Sequence, residues 1–110
     1  MTNRLQISTR SAADRQIIVV SGEVDMDSSP QLLAALHAAL QQGKVPVVDL
    51  AGVSFMDSSG VAVLVQGLRA ARKHALEFRL RHPSQKVTAV LQLAQLLQLF
   101  TIDGGGSGTG

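Results

Sequence analysis

The sequence contains no cysteine, tryptophan or tyrosine, and its three aromatic residues are all phenylalanine. The lack of cysteine excludes disulfides, thiolate metal ligands and cysteine nucleophiles, and it agrees with a cytoplasmic location. Hydrophobic residues still make up 45% of the chain, which is enough to bury a core. With so few aromatic rings, we expect Leu, Val and Ala to pack that core.

The chain also has a small net charge and no long apolar run. A formal charge of +2 is too small to indicate a nucleic-acid-binding domain, so we expect no direct contact with nucleic acid. No apolar run approaches the roughly 20 residues of a transmembrane helix, and the N-terminus lacks the apolar segment of a signal peptide. We therefore expect no membrane span.

The sequence also lacks the usual signatures of catalysis. His37, His74 and His82 show no metal-ligand spacing. There is no glycine-rich dinucleotide fingerprint, no Walker phosphate loop and no nucleophile elbow. We expect no metal site, no cofactor and no enzymatic activity of the chain's own.

The apolar periodicity predicts one domain in the order β-β-α-β-α-β-α, with or without a final strand. Strands are expected at residues 5–8, 16–20, 45–50 and 76–81, and the final one at 100–102. Ser29 and Ser84 are the predicted caps of the first and third helices, and the second helix is expected at 61–73.

Alternating strands and helices favour an α/β fold with a mainly parallel sheet of four or five strands, made mixed by an opening hairpin. In the strand at 76–81, apolar Leu76, Phe78 and Leu80 alternate with charged residues, so helices should cover mainly one side of the sheet. Residues 1–103 form the predicted domain. The Gly/Ser-rich residues 104–110 are predicted to be a disordered tail or an expression remnant.

The most informative motif is the run Phe-Met-Asp-Ser-Ser-Gly at residues 55–60, between a predicted strand and a predicted helix. Free N–H groups at such a junction favour negative charge, including phosphate, so Ser58 is a candidate phosphoryl acceptor. An ordinary helix cap is the more common explanation of such a run taken alone, and Ser59 is the predicted capping hydroxyl. The topology, however, brings the run next to a predicted turn at 22–25, at one end of the sheet where open α/β sheets present their sites.

With these motifs, the chain resembles STAS domains of the bacterial anti-sigma factor antagonist type. The matching segments are Gly-Glu-Val-Asp at 22–25, Val-Asp-Leu at 48–50 leading into 53–61, Leu-Arg-His-Pro at 80–83, and Leu-Phe-Thr-Ile at 99–102. The resemblance covers nearly all of residues 4–103, and the run at 55–60 is its most specific part.

The resemblance implies that Ser58 is a phosphorylation site. The implied partner is an anti-sigma factor that is also an ATP-dependent serine kinase. The unphosphorylated antagonist would bind this kinase and free the sigma factor, phosphorylation would break the complex, and a separate phosphatase would reset it. Asp25, Asp57, Ser59 and Gly60 would form the surroundings of the phosphorylation site and the partner-binding surface.

The sequence departs from the family pattern at residues 28–29, 74–75 and 94–95, which carry Ser-Ser, His-Ala and Ala-Gln. Two other functions therefore stay open at this point. One is a STAS scaffold, such as a subunit of a transport or sensor complex, without a phosphoryl switch. The other is a small hydrolase that uses Ser58 or Ser59.

Overall fold

The computed structural model describes residues 4–104, which form five strands, three α-helices and one 3-10 turn. The strands are β1 (Leu5–Ala12), β2 (Arg15–Val24), β3 (Val45–Met56), β4 (Arg79–Arg81) and β5 (Thr101–Asp103). The helices are α1 (Ser29–Gln41), α2 (Ser58–Lys73) and α3 (Gln85–Leu93), followed by the 3-10 turn Leu97–Leu99. The predicted element order is confirmed, including the final strand. Residues 105–110 of the predicted tail lie outside the described residues.

The five strands form one sheet in the order β1-β2-β3-β4-β5. The β1–β2 pair is antiparallel and the other three pairs are parallel, which confirms the mixed sheet. In the hairpin Ala12 lies opposite Arg15, so the turn is shorter than the gap between the predicted strands at 5–8 and 16–20. Because β1 runs against its neighbours, its first residues lie at the edge where the other strands end.

The buried side chains of all three helices belong to one hydrophobic core with one face of the sheet. On that face Ile18, Val48 and Leu80 lie opposite one another across β2, β3 and β4. Phe78 and Phe100 meet within this core at a centroid distance of 6.2 Å. The prediction that helices cover mainly one side is confirmed. Within residues 4–104, none of the helices has the length and hydropathy needed to cross a membrane.

The face of the sheet opposite the helices carries a small buried cluster of Ile17, Val45 and Val47, and beside it an ion pair that links β4 to the short edge strand β5. Both nitrogens of one side of the Arg79 guanidinium donate to Asp103, Nε to Oδ2 at 2.7 Å and Nη2 to Oδ1 at 2.5 Å. Such two-pronged pairs combine geometric specificity with charge. The pair with Arg79 lowers the pKa of the Asp103 carboxyl.

Several strand bounds differ from the prediction. β1 continues past residue 8 to Ala12, and β4 begins only at Arg79 and not at residue 76. The ends of β2 and β3 differ as well, and these two bear on the site. β2 runs to Val24, so residues 22–24 lie within the strand and not in a turn. β3 runs to Met56 and does not stop at Leu50. The two strands stay paired over this length because register shifts at Val19/Ser21 and Gly22/Glu23 absorb the irregular, polar stretch. Sequence patterns based on strict alternation do not detect such shifted pairing.

The helix starts also need correction. α2 begins at Ser58, before the expected Val61. Ser28, and not Ser29, occupies the N-cap position of α1, while Ser29 is buried in the first turn. Ser84 does cap α3 as predicted, since its hydroxyl accepts a hydrogen bond from the Val87 N–H at 3.3 Å. α3 ends at Leu93, so Ala94 and Leu97 lie beyond it.

The position of α2 on the sheet can be tested through Leu64, which is fully buried in the core. Leu64→Ala should lower the free energy of unfolding by about 2–5 kcal/mol, because it removes buried methyl groups and leaves a cavity. Leu93→Ala is the matched control, since Leu93 is 85% exposed and its loss should cost less than about 0.5 kcal/mol. Chemical denaturation measures both, and equal costs would contradict this packing.

Candidate functional site

The candidate site lies where β2 and β3 end side by side. Val24 is paired with Met56, the last residue of each strand, and the Asp57 N–H donates to the Val24 carbonyl at 3.2 Å. Asp25 and Asp57, which follow directly, are therefore neighbours at the carboxyl edge of the sheet. The sheet topology thus brings Asp25 and Asp57 together, the two acidic residues that the sequence analysis placed around Ser58.

Asp57 is the cap of α2. Its backbone is extended, with φ −105° and ψ −168°, and its Oδ1 accepts a hydrogen bond from the Ser59 N–H at 2.8 Å. Its carbonyl accepts from the N–H groups of Gly60 at 3.1 Å and Val61 at 3.2 Å, which closes the first turn. The expectation that the Ser59 hydroxyl caps the helix is therefore wrong. A short carboxylate one position before the helix reaches the free N–H groups of the first turn.

The two serines of the motif differ in exposure. Ser58 is the first residue of α2 and is exposed, whereas Ser59 is half-buried. The Ser58 hydroxyl therefore stands at the positive end of the helix dipole with open access from solvent. This position agrees with the predicted strand-to-helix junction.

Gly60 lets the first turn of α2 press against the ends of the two strands. A Cβ at this position would lie 2.6 Å from Met56 Cγ and 2.9 Å from Val24 Cγ1, closer than side chains normally approach. Gly60 is buried, so a larger residue would push the helix start away from the sheet. The glycine therefore fixes the distance between Ser58 and the strand ends.

Asp25 organises the loop between β2 and α1. Its Oδ1 accepts hydrogen bonds from the N–H groups of Asp27 and Ser28, each at 3.0 Å, and lies 3.0 Å from the Ser28 hydroxyl. The Ser28 hydroxyl in turn accepts from the Asp25 N–H and bonds the Glu23 carbonyl, both at 2.9 Å. These hydrogen bonds, foremost the one from the Ser28 N–H, lower the pKa of the Asp25 carboxyl.

Arg4 belongs to the site, although the sequence analysis did not single it out. Its Nη2 lies 2.7 Å from Asp25 Oδ2 and its Nη1 lies 3.1 Å from Glu23 Oε1. The Glu23 N–H donates to the Arg4 carbonyl at 2.8 Å, and Gly22, at φ +95°, allows this approach because a Cβ there would overlap that carbonyl. The hairpin register, with Leu5 opposite Gly22, is the signal that could have revealed Arg4.

Two exposed hydrophobic side chains border these charges. Met26 follows Asp25 and is 75% exposed, and Phe55 lies opposite Glu23 and is 46% exposed. No group of three or more His, Cys, Asp or Glu side chains within residues 4–104 could hold a metal ion. The edge thus combines carboxylates, an exposed serine and exposed apolar side chains.

Comparison with known proteins gives the family to which this fold belongs. The family model described as "Mlab, STAS domain" matches residues 7–101. The chain therefore belongs to the STAS domain family.

Among its relatives, the anti-sigma F factor antagonist of Lysinibacillus sphaericus is 34% identical over 95 residues, which cover 84% of this chain and 79% of the relative. The anti-sigma-B factor antagonist of Staphylococcus epidermidis is 29% identical over 102 residues, 92% of this chain and 94% of the relative.

Solved structures agree with this family. The unphosphorylated anti-sigma factor antagonist SpoIIAA has a TM-score of 0.75 and 25% identity, with 90% of this chain and 89% of that chain covered. SpoIIAA of Bacillus has also been solved in its phosphorylated form, with a TM-score of 0.70 and 24% identity over 90% of this chain and 92% of that chain. An anti-sigma factor antagonist from Mycobacterium paratuberculosis shares the fold with a TM-score of 0.80 at 23% identity, over 90% of this chain and 85% of that chain.

The capping role of Asp57 leads to a stability prediction. Asp57→Ala should lower the free energy of unfolding by about 0.5–2 kcal/mol, because the Ser59 N–H loses its acceptor. Ser59→Ala is the control and should change it by less than about 0.5 kcal/mol, since the Ser59 hydroxyl is not the cap. Urea denaturation of both variants measures this, and a larger loss for Ser59→Ala would restore the Ser59 hydroxyl as the cap.

The lowered pKa of Asp25 predicts a specific pH dependence. A carboxyl whose pKa falls on folding stabilises the native state above its unfolded pKa of about 3.9, and this contribution disappears as the pH falls through the folded pKa. The stability lost in Asp25→Asn should therefore be constant between about pH 7 and 5 and should shrink below about pH 4. Urea denaturation across this range measures the difference. The control is Asp14→Asn, the same change in the β1–β2 turn, and a pH-independent loss in Asp25→Asn would contradict the prediction.

Proposed function

We propose that this protein is an anti-sigma factor antagonist whose Ser58 carries a reversible phosphoryl group. The observation that supports this most is the position of Ser58, exposed at the first residue of α2 and held there by the Asp57 cap and the close packing of Gly60. The similarity to anti-sigma factor antagonists supports it too, because SpoIIAA, one of the relatives, has been solved with and without its phosphoryl group.

In the proposed cycle, the unphosphorylated protein binds an anti-sigma factor that is also a serine kinase, and the sigma factor is released. The kinase then transfers a phosphoryl group from ATP to Ser58, the complex separates, and a phosphatase restores the free serine. The kinase supplies nucleotide, metal and base, as kinases do for their protein substrates. The antagonist contributes a positioned hydroxyl and is not itself an enzyme.

Electrostatics gives the switch its physical basis. A phosphoryl group adds about −1.5 to −2 charge at neutral pH. The N–H groups at the start of α2 favour that charge, so the isolated domain tolerates it without refolding. The carboxylates of Asp25 and Asp57 lie at the same edge and already make it acidic. Burying a dianion beside them in a fitted interface costs several kcal/mol in desolvation and repulsion, which separates the partners.

Met26 and Phe55 give the proposed interface its apolar contacts. Large hydrophobic side chains that stay exposed beside a polar site mark interaction surfaces more often than scattered exposed residues do. The partner would cover them while it approaches Ser58. Phosphorylation therefore acts next to the apolar contacts and not at a remote position.

A STAS subunit that docks on a partner without a phosphoryl switch is the second candidate. The departures from the antagonist pattern at residues 28–29, 74–75 and 94–95 leave this candidate open. The same edge would then serve as a docking surface, with Ser58 as an ordinary contact residue. A hydrolase is less well supported, since His74 follows the far end of α2, roughly 24 Å from Ser58 at 1.5 Å per helical residue.

Phosphorylation by the cognate kinase and ATP tests the proposal. Wild type should gain one phosphoryl group at Ser58, Ser58→Ala should gain none while it still binds the kinase, and Ser59→Ala should be labelled normally. Ser58→Asp should weaken binding, although one carboxylate imitates a phosphate dianion poorly. Intact mass, phosphopeptide mapping and binding titration are the measurements.

The outcomes separate the candidates. Label on Ser59, or undiminished labelling of Ser58→Ala, would overturn the assignment of Ser58. Labelling of Ser58 without any change in kinase affinity would leave the site in place and remove the switch. Stable binding without phosphoryl transfer would favour the docking subunit.

A further inference from the structure

We infer that the Arg4 side chain binds the phosphoryl group when Ser58 of the same chain is phosphorylated. In the unphosphorylated protein its guanidinium bridges Asp25 and Glu23, and after phosphorylation it moves to the phosphoryl oxygens. This inference rests on the proposed function, because it assumes that Ser58 is the residue that carries the phosphoryl group.

The geometry brings Arg4 within reach of Ser58. The guanidinium lies 2.7 Å from Asp25 Oδ2, and Asp25 follows Val24, whose carbonyl binds the Asp57 N–H. The backbones of Asp25 and Asp57 are therefore about one strand spacing apart, roughly 4.8 Å, and Ser58 directly follows Asp57. A phosphoryl group would extend past the serine oxygen, and the Arg4 side chain, which is 52% exposed, would rotate toward it.

Asp25 and Glu23 both have other partners when Arg4 moves to the phosphoryl group. Asp25 keeps two backbone hydrogen bonds on its other oxygen, from the N–H groups of Asp27 and Ser28. Glu23 has a side chain that is 40% exposed, so water replaces Arg4 there. The pair with Glu23 is exposed and costs little to break, whereas the pair with Asp25, whose side chain is 17% exposed, is the one that the phosphoryl group must outcompete.

The phosphoryl group is the stronger partner for this side chain. Arginine donates two parallel N–H groups, which match phosphate oxygens in a bidentate pair, and the dianion carries about twice the charge of a carboxylate. In the unphosphorylated protein, Nη1 of Arg4 pairs with Glu23 and Nη2 pairs with Asp25. A single dianion nearby satisfies both donors at once.

The exchange would also change the surface that a partner meets. With Arg4 on the phosphoryl group, Asp25 and Glu23 lose their cation, so phosphorylation alters the charge beyond Ser58. Arg4 would also shield the phosphoserine from water and from a phosphatase. Removal of Arg4 should then speed dephosphorylation.

The second pKa of the phosphoserine, ordinarily about 6, responds to a positive charge beside the phosphoryl group. Protein with phosphoserine incorporated at position 58 during translation requires no cognate kinase. We expect a 31P NMR titration to give a pKa at least about 0.5 higher in Arg4→Gln than in wild type, since a nearby cation favours the dianion. Arg4→Lys should fall between them. The matched control is Arg10→Gln, which removes the same charge from the middle of β1, opposite Ile17.

The remaining charged groups around the phosphoserine are the same in all four proteins. Asp57, Asp25, Glu23 and Asp27 raise its pKa, and the N–H groups at the start of α2 lower it. The first turns of α1 and α2 carry no acidic side chain. Differences among the variants therefore report the substituted arginine alone.

Equal pKa values in Arg4→Gln and wild type, within about 0.2, would overturn the inference, as would an equal shift in Arg10→Gln. Amide spectra of the unphosphorylated variants verify the fold. If Arg4→Gln failed to fold, the Arg4 Nε–H signal of wild type would decide instead, since it should shift and exchange more slowly on phosphorylation. The phosphoserine is incorporated at position 58 during translation and not by a kinase. A kinase that labels Ser59 would therefore contradict the proposed function, but it would not change the measured pKa of the phosphoserine.

Discussion

The site depends on one pairing, in which β2 and β3 end together at Val24 and Met56. The hydrogen bond from the Asp57 N–H to the Val24 carbonyl extends this pairing by one residue, into the start of α2. It ties the helix start to the neighbouring strand and brings the β2–α1 loop beside the serine. Without it, Asp25 and Ser58 would belong to two independent loops, and a charge on one would have little effect on the other.

Two glycines make this arrangement compact, each for a different reason. Gly60 removes a side chain that would collide with Met56 and Val24, so α2 starts directly against the sheet. Gly22 adopts φ +95° at the bulge in β2 and lets the carbonyl of Arg4 approach. Together they draw a helix start and a strand start toward the same strand ends. The result is a surface that is polar at its centre and held by backbone contacts on both sides.

Much of this could be predicted from the sequence, because the strands and helices differ clearly in period and in their boundary residues. The α/β order, the one-sided cover of helices and the position of Ser58 at a helix start follow from such patterns. The extent of β2 and β3 could not be predicted, since register shifts hide the alternation on which a strand prediction relies. The cap was assigned to Ser59 because serine and aspartate are nearly equivalent caps in sequence, and only backbone geometry selects Asp57. Arg4 was missed because its partners lie across a hairpin and not near it in sequence.

The distribution of hydrogen bonds explains how such a site can gain a large charge without a change of fold. The carboxylates at the edge are each held by backbone N–H groups, Asp57 by Ser59 and Asp25 by the loop, so their positions do not depend on any one cation. The Arg4 side chain is 52% exposed and pairs with Glu23 and Asp25, while its backbone is held by the hydrogen bond from the Glu23 N–H. A phosphoryl group on Ser58, as proposed above, would therefore redirect this side chain and leave the backbone in place. The core beneath, with Leu64 and Ile18 fully buried, is insulated from the event by the first turn of α2. The proposed phosphorylation would thus change the charge that the surface presents to a partner, at little cost in the stability of the domain.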